Sequence, residues 1–548
     1  MQKADTVFEG GAILTLDPAC PIAEAIAVAQ GRILACGTRH DLDPFIGPGT
    51  RRISLGGRFV MPGLIESHTH ALWGACRDLF QIYVGYSANT KQLADAVHQR
   101  TGEIAKGDWI SGGPWRYEMR EDLGMTPREW LDTLAPHHPV ALFDTSQHAV
   151  WCNSEALTRA GITDDSPPIE GGLIERDHQG KLTGFMAEAA VAPIRASIVE
   201  TPAQLRQACD YALRYLNSLG YTGFKEPSAS ETILATYAQA CDDGRWTLHG
   251  TAHINAFSPL AGGLVPMNDI NRMRETYARD DLALNYAKLF IDGVAPAHTA
   301  SFLDPYQPAE GYDPSDHDPD ATLLMSPSAL NDKVTELDHH GYVVKMHAVG
   351  DNAIRKGLDA IEAARRANGP SGLRHEIAHS AFVSDADLPR FAQLDAIAEV
   401  SPKLWMPNAA TRSQRAVLSG EQLSRLHRIR DLIAAGAEVI FGTDWPASAP
   451  DADPWTGLAG MLNRQDASGT YAGTMNVDQA IPLDQALTLF TSNAARAMGL
   501  AGQTSILTTG AWADFIILSE DIRGLSPEQI ATVKVQETVW KGQTVFAL

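Results

Sequence analysis

The sequence predicts an α/β fold, a (β/α)₈ TIM-like barrel with a small composite β-sandwich built from both termini and an insertion after strand 1. Three observations support this fold class. Short apolar runs alternate with helical patterns through the middle of the chain, β-prone segments occupy both ends, and a long segment separates the first two apolar runs. Strands that alternate with helices indicate a parallel sheet, and eight such strands can close into a barrel.

The N-terminal segment predicts the first part of the sandwich. Asp5–Gly37 contains short β-prone runs, and Gly10-Gly11 and Gln30-Gly31 separate them as turns. The end of the chain has the same pattern, with β-prone runs at 513–518, 537–540 and 544–546. We therefore expect residues 1–58 and 497–548 to form one composite β-sandwich.

The middle of the chain, residues 59–496, predicts the barrel. Each candidate strand is a short apolar run bounded by turn residues or by a helical pattern. The eight candidate strands are Val60–His70, Tyr221–Pro227, Trp246–Asn255, Leu284–Gly293, Tyr342–His347, Arg374–His379, Ala396–Pro402 and Glu438–Asp444.

The connection between the first two candidate strands is far longer than a crossover helix requires. We expect residues 73–219 to form an inserted segment that covers the substrate. A second irregular stretch, Asp304–Ala321, follows the fourth strand and is rich in Pro, Asp and Gly. Its composition is compatible with a lid or with an ordinary loop.

Composition restricts the function classes. The chain has 548 residues, 44% of them hydrophobic, and a formal charge of −22, which argues against nucleic acid or an anionic membrane as a partner. The six cysteines form no CxxC pattern, and Met1–Glu9 does not resemble a signal peptide. The sequence thus predicts a cytoplasmic protein that acts on a small molecule, and it leaves open whether the chain forms a homo-oligomer.

Two histidines at the end of the first apolar run are the first sign of a metal centre. His68 and His70 are two residues apart, and side chains at that spacing on a strand project to the same side. Both imidazoles could therefore bind one metal ion.

Further candidate ligands lie at the ends of four other candidate strands, where barrel enzymes carry their active sites. They are Lys288 on the fourth strand, His347 on the fifth, His379 on the sixth and Asp444 on the eighth. Each has an ordinary structural explanation, such as a helix cap for Asp444 or a core position for either histidine. Six such residues on five strand ends favour a metal centre.

Several motifs resemble the amidohydrolase superfamily. The segment Met61–His70 resembles its first-strand motif, and three others resemble the branch that contains N-substituted formamide deformylases: Lys288–Gly293, His347–Asp351 and Gly442–Pro446. Further similar segments are Asn153–Leu157, Gly171-Gly172 with Gly184, Thr491–Ala495 and Gly510–Asp514. The resemblance spans nearly the whole chain and implies a metal-dependent hydrolase with a barrel and a composite sandwich.

The resemblance implies a role for each candidate ligand. One zinc ion would be bound by His68, His70 and Asp444 and a second by His347 and His379, while Lys288, carboxylated by carbon dioxide, would bridge both. The two ions would share a hydroxide and polarise a carbonyl group. Asp444 would carry a proton from the hydroxide to the leaving amine. The implied reaction is cleavage of the C–N bond of an N-acyl, N-formyl or N-aryl amide.

Three further residues are candidate substrate contacts. His298 stands in a turn where the branch usually has an arginine. Lys225 precedes Glu226 at the second strand, so it could form an ion pair or donate to the substrate. Trp115 follows a Gly-Gly-Pro turn that could present it inward. It is one of several aromatic residues of the insertion that could form core or line a pocket: Trp73, Trp109, Trp115, Trp130, Trp151, Tyr83, Tyr86 and Tyr117.

Other functions remain compatible with the sequence. A mononuclear deaminase on the same fold typically has a glutamate three residues after the fifth-strand histidine, whereas this chain has Gly350. A lactone, ester or urea hydrolase on the same fold is a further alternative. A metal-free assembly module ranks last, because no candidate ligand is missing.

Overall fold

The computed structural model describes residues 2–85, 88–144, 149–169, 172–258, 263–309, 312–404, 407–447 and 449–548. Tyr86 and Gly171 lie outside these ranges. The chain divides into two compact units. The first comprises Met1–Ala71 and Asp210–Leu548, and the second comprises Leu72–Cys209.

The first unit contains a parallel barrel sheet, which confirms the predicted fold class. Within the described ranges it has eight strands, β1 (Leu64–Glu66), β2 (Tyr221–Ala229), β3 (His249–Asn255), β4 (Leu282–Phe290), β5 (Val343–Ala348), β6 (Glu376–His379), β7 (Ile397–Val400) and β8 (Glu438–Phe441). Neighbours in this order pair in parallel. Backbone hydrogen bonds join the last strand to the first: Ser67 N donates to Phe441 O (2.9 Å) and Asp444 N donates to His68 O (2.7 Å).

The predicted first strand, Val60–His70, is in fact two strands in different sheets. Phe59–Pro62 pairs with Thr6–Leu14 and with Phe515–Leu518 in the terminal sheet, and only Leu64–Glu66 belongs to the barrel. An apolar run does not reveal this division, because both strands are fully buried. His68 and His70 follow the end of β1.

Strands from both ends of the chain form the second sheet of this unit, as predicted. Its strands, in spatial order, are Gln543–Ala547, Val535–Trp540, Phe515–Leu518, Phe59–Pro62, Thr6–Leu14, Ile22–Ala29 and Arg32–Gly37, and Arg51–Ser54 also pairs with Thr6–Leu14. The rings of Phe8 and Phe515 lie 4.9 Å apart, edge to face, in its core. The two ends of the chain therefore share one apolar core.

Helices cover the outside of the barrel. Many begin with a capping side chain, as Ser326 does when its Oγ accepts from Ala329 N. The α-helices of this unit beyond residue 210 are Glu231–Asp242, Met267–Tyr277, Pro327–His339, Asp351–Asn368, Leu388–Gln393, Ala409–Val417, Gly420–Ser424, Ile429–Ala434, Pro454–Asn463, Leu483–Phe490, Ser492–Ala497 and Pro527–Ile530. Arg39–Leu42 lies in the N-terminal segment, and Ala71–Phe80 and Pro202–Ser218 cross the unit boundaries.

The second unit contains a sheet of its own. In the part of the insertion that the structure describes, its strands in spatial order are Gly172–Arg176, Leu182–Glu188, Ala149–Cys152, Val140–Asp144, Ile110–Trp115 and Ile82–Tyr83. Its helices are Thr90–Glu103, Pro127–Leu134, Ser154–Arg159 and Ala192–Ser197. Across all described ranges, no helix has the length and apolar character needed to cross a bilayer.

Candidate metal centre

The junction between β8 and β1 brings three of the predicted ligands together. Oδ1 of Asp444 lies 3.5 Å from Nε2 of His68 and 3.5 Å from Nε2 of His70. The backbone fixes this arrangement, because Asp444 N donates to His68 O and His70 N donates to Trp445 O (2.8 Å). The three ligating atoms are close enough to bind a single ion.

The histidines at the ends of β5 and β6 form the neighbouring part of the site. Nε2 of His379 lies 3.1 Å from Nδ1 of His347. Nε2 of His347 lies 3.2 Å from the carbonyl oxygen of Gly293, which can accept its proton and leave Nδ1 with a lone pair toward His379. The ring of His379 also lies 4.9 Å from that of His68, so the two halves of the site form one cluster.

Two members of the cluster have unusual backbone conformations. His379 has a φ of +71° and Asp444 a φ of +56°, in the left-handed region that residues with side chains rarely adopt. Such conformations persist where the surrounding structure holds them, and they are common at functional sites. At Asp444 the backbone hydrogen bond to His68 supplies that restraint.

Lys288 lies on β4 with its side chain buried. Its register partners are Asn255 on β3 and Lys345 on β5. Nζ lies 4.8 Å from the centroid of the Phe290 ring, and among the described residues it has no hydrogen-bond partner. Burial, followed by the charge of Lys345, lowers the pKa of Lys288 to about 8. The amine is therefore more easily neutralised than that of a surface lysine.

The electrostatics of the cluster suit a metal ion. Burial holds the pKa of His68 well below its usual range and lowers the pKa to about 4 for His347 and about 3 for His379. These three imidazoles are therefore neutral near pH 7. Burial opposes ionisation of Asp444, but its hydrogen bond with His70 and the nearby histidines hold its pKa well below the usual range. Neutral imidazoles with a carboxylate are the donor set that zinc prefers.

His70 differs from the other histidines of the cluster. Burial lowers its pKa, but contacts with Asp444 and with Glu226, whose Oε1 lies 3.4 Å from Nδ1 of His70, outweigh burial and raise the pKa to about 9. A metal ion at Nε2 would have to displace that proton.

Three buried charges of the barrel interior were missed by the sequence analysis: Glu399, Lys345 and Glu376. Nδ1 of His68 lies 2.5 Å from Oε2 of Glu399, which also accepts from Nζ of Lys345 at 2.8 Å. Each charge stands inside an apolar strand run, and a buried charge must be paired. That pattern is the signal that could have identified them.

The structure argues against a substrate contact by Lys225. Its side chain is fully buried and donates to Glu376, while Glu226 accepts from Ala71 N (3.1 Å) and from Tyr237 (2.9 Å). The predicted pair of Lys225 with Glu226 is therefore replaced by two separate interactions. The reason is that consecutive residues on a strand point to opposite faces.

Trp115 lies in the apolar core of the second unit. Its indole N–H donates to Leu142 O at 2.7 Å, and its ring stacks on that of Trp151 at 4.3 Å, with no exposed surface. This packing argues against the predicted contact between Trp115 and substrate, because no face of the indole is left for a ligand.

His298 is half-buried in the turn after β4. Its ring stacks on Tyr306 at 4.6 Å and contacts the edge of Tyr312 at 5.6 Å. Its contact with substrate stays a prediction.

The chain is similar to known proteins over most of its length. The model of the amidohydrolase family matches residues 51–546, so the chain belongs to the amidohydrolase family. It is 27% identical to Protein LONG AFTER FAR-RED 3 of Arabidopsis thaliana over 94% of this chain and 87% of that protein. It is 26% identical to the N-substituted formamide deformylase of Arthrobacter pascens over 98% of this chain and 96% of that enzyme.

A solved structure has the same fold. The crystal structure of an uncharacterized metal-dependent hydrolase from Pyrococcus horikoshii superposes with a TM-score of 0.76 over 95% of this chain and 99% of that one, at 22% sequence identity. This similarity supports the fold alone.

Proposed function

We propose that this chain is a metal-dependent hydrolase that cleaves the C–N bond of a small-molecule amide, with an N-acyl, N-formyl or N-aryl group. The convergence of His68, His70 and Asp444 with His347 and His379 at the carboxyl ends of the barrel strands is the observation that carries the proposal. The 26% identity to an N-substituted formamide deformylase supports the substrate class.

The residues present fit two zinc ions. His68, His70 and Asp444 would hold one ion, and His347 and His379 the other. Lys288, carboxylated by carbon dioxide, would supply one oxygen to each. Its buried amine, which lacks a described hydrogen-bond partner, agrees with that modification. When bound, the ions would polarise the amide carbonyl and lower the pKa of water.

Asp444 is the group proposed to move the proton. Its carboxylate is ionised at neutral pH and lies beside two imidazoles, so it can accept a proton from the attacking water. The same carboxylate would then donate that proton to the leaving amine. The left-handed backbone of Asp444 and its hydrogen bond to His68 O hold the side chain in place for both steps.

The structure favours amide hydrolysis over the alternative of a mononuclear deaminase. Gly350 occupies the position where such enzymes typically have a glutamate. A Cβ atom at Gly350 would lie 2.0 Å from the carbonyl oxygen of Ser301, so no larger side chain fits. Gly350 N instead donates to the buried carboxylate of Asp292 at 2.9 Å.

Metal analysis and a substrate screen test the proposal together. The zinc-loaded chain would be assayed with formamides, N-acyl amino acids, anilides, ureas, lactones, aminopurines and aminopyrimidines. Two metal equivalents with amide turnover support the proposal. One equivalent with deamination would establish the alternative, and lactone or urea turnover would keep the metal site but change the substrate class. A chain that binds no metal would be an assembly module. We also infer a cytoplasmic location, because the six cysteines are scattered along the chain without the regular spacing of a disulfide framework.

A further inference from the structure

The carboxylate of Glu399 lies directly behind His68. Glu399 belongs to β7 and is fully buried, and its Oε2 lies 2.5 Å from Nδ1 of His68. A carboxylate at this distance accepts the proton of Nδ1. The lone pair of His68 is then on Nε2, the atom that lies 3.5 Å from Asp444 in the cluster.

Lys345 holds this carboxylate in place. Its Nζ donates to Oε2 of Glu399 at 2.8 Å and to the carbonyl oxygen of Ser67 at 2.7 Å, so one ammonium contacts both Glu399 and the residue before His68. Nζ also pairs with Glu376 at 3.1 Å. Because all of these groups are fully buried, the charges can only be accommodated as a paired network.

The same geometry permits one alternative role. The ligating atoms of His68, His379 and Glu399 lie within 4.8 Å of one another, and Oε1 of Glu399 has no hydrogen-bond partner among the described residues. Glu399 could therefore be a metal ligand itself. The short contact with Nδ1 of His68 and the shared Lys345 favour a positioning role, because Oε2 is already occupied by two donors.

We propose that Glu399 is a positioning residue that fixes the tautomer and orientation of His68, so that Nε2 faces the metal. This inference rests on the proposed metal centre. A carboxylate that accepts the second N–H of a ligating histidine raises its basicity, and loss of such a partner typically costs about 10- to 100-fold in metal affinity.

Glu399→Gln is the main test, since glutamine keeps the size of the side chain and removes the charge. Lys345 retains Glu376 in this variant, which favours folding. We expect Zn²⁺ affinity, measured by competition with a chelator, to fall about 10- to 100-fold. We also expect the visible absorption of the Co²⁺-loaded protein to change in position or intensity, because it reports ligand geometry. Glu399→Asp, which keeps the charge, should recover part of the affinity.

Asp338→Asn is the matched control. Asp338 is equally buried and accepts hydrogen bonds from His375 (3.0 Å) and Arg365 (2.9 Å), away from the cluster. This variant should lose stability but keep the Zn²⁺ affinity and Co²⁺ spectrum of the unmodified chain. Equal loss of affinity in both variants would assign Glu399 a merely structural role and overturn the proposal.

If the variants do not fold, a crystal structure of the metal-loaded, unmodified chain distinguishes a positioning role of Glu399 from a role as metal ligand. The proposal requires a bond from metal to Nε2 of His68 and a hydrogen bond from Nδ1 to Glu399. A bond from the metal to Glu399 would overturn it. If the unmodified chain bound neither Zn²⁺ nor Co²⁺, the proposed function itself would fail. If it bound metal and Glu399→Gln left affinity and spectrum unchanged, only the positioning role would be refuted.

Discussion

Gly442 packs against His68 so closely that it has no room for a side chain. A Cβ atom at Gly442 would lie 2.3 Å from Cβ of His68 and 2.8 Å from its backbone N. Gly442 directly follows β8, and the chain reaches Asp444 two residues later. Gly442 is not a predicted ligand, but its lack of a side chain lets the segment that leads to Asp444 pass close to His68.

Gly442→Ala should therefore weaken the metal site. The added methyl group must displace His68 or the backbone that follows β8, because the backbone atoms and Cβ of His68 cannot rotate away. We expect Zn²⁺ affinity to fall by about 10-fold or more. Gly420→Ala is the control, since nothing lies within 4 Å of its added methyl group. Unchanged Zn²⁺ affinity in Gly442→Ala would contradict the close contact.

Asp444→Asn should abolish turnover without unfolding the chain, and His68→Ala should do the same. The asparagine variant removes both a metal ligand and the group that carries the proton, so we expect kcat to fall at least about 10²- to 10⁴-fold at saturating zinc. Asp387→Asn removes another buried carboxylate, one that pairs with Arg355 and Arg390, and should keep its turnover. Near-native kcat in Asp444→Asn would refute the proposed proton transfer.

Lys288 should carry the mass of one carbon dioxide in the active, metal-loaded chain. Bicarbonate should therefore improve reconstitution by zinc, and intact-protein mass spectrometry or electron density should show the added group. Lys288→Ala should lose activity and regain a little of it with short carboxylic acids, which can replace the carbamate oxygens. Lys333→Ala is the control, because Lys333 pairs with Glu336 away from the cluster. An unmodified Lys288 in a fully active chain would exclude the bridging role.

His249 should make stability depend on pH in the alkaline range. Burial lowers its pKa, but Asp514 at 2.8 Å and Asp281 at 3.5 Å outweigh burial and raise the pKa from 6.5 to about 9. A raised pKa in the folded state means that the stabilisation is fully present below pH 6.5 and is lost as pH rises through about 9. This stabilisation amounts to at most about 3 kcal/mol.

Urea unfolding between pH 6 and pH 10 measures the loss of stability, and His249→Gln should flatten this pH dependence. If His249→Gln leaves the slope of unfolding free energy against pH unchanged, groups other than His249 cause the pH dependence.

Trp115→Ala should destabilise the insertion rather than alter substrate choice. Loss of a fully buried indole, with its stack on Trp151, typically costs about 3–5 kcal/mol. Thermal unfolding should show this loss, and KM for large and small amides should change equally. Tyr117→Ala, at a residue 55% exposed, should cost far less stability. An increase in KM for bulky amides alone would instead indicate that Trp115 contacts the substrate.

Much of the fold could be predicted from the sequence because it depends on local patterns. All eight barrel strands lie within or beside the apolar runs that predicted them, since burial on both faces of a parallel strand requires continuous apolar residues. The predicted extent of the first strand is wrong, because it joins two segments that are equally apolar but belong to different sheets, Phe59–Pro62 and Leu64–Glu66. The apolar character of a segment indicates that the segment is buried, but it does not indicate which strand the segment pairs with.

The candidate site shows the same division. The sequence by itself predicted which side chains would form the site, because strand ends of a closed barrel must meet at one edge. Each predicted ligand follows or ends a strand run: His68, His70, Lys288, His347, His379 and Asp444. Only the tertiary structure decided which charges support them. Glu399 contacts His68 across 331 positions of the chain, and Lys225 pairs with Glu376 rather than with its neighbour Glu226. A buried charge is costly unless it is paired with an opposite charge. Which opposite charge lies close enough to pair depends on how the strands come together when the barrel closes.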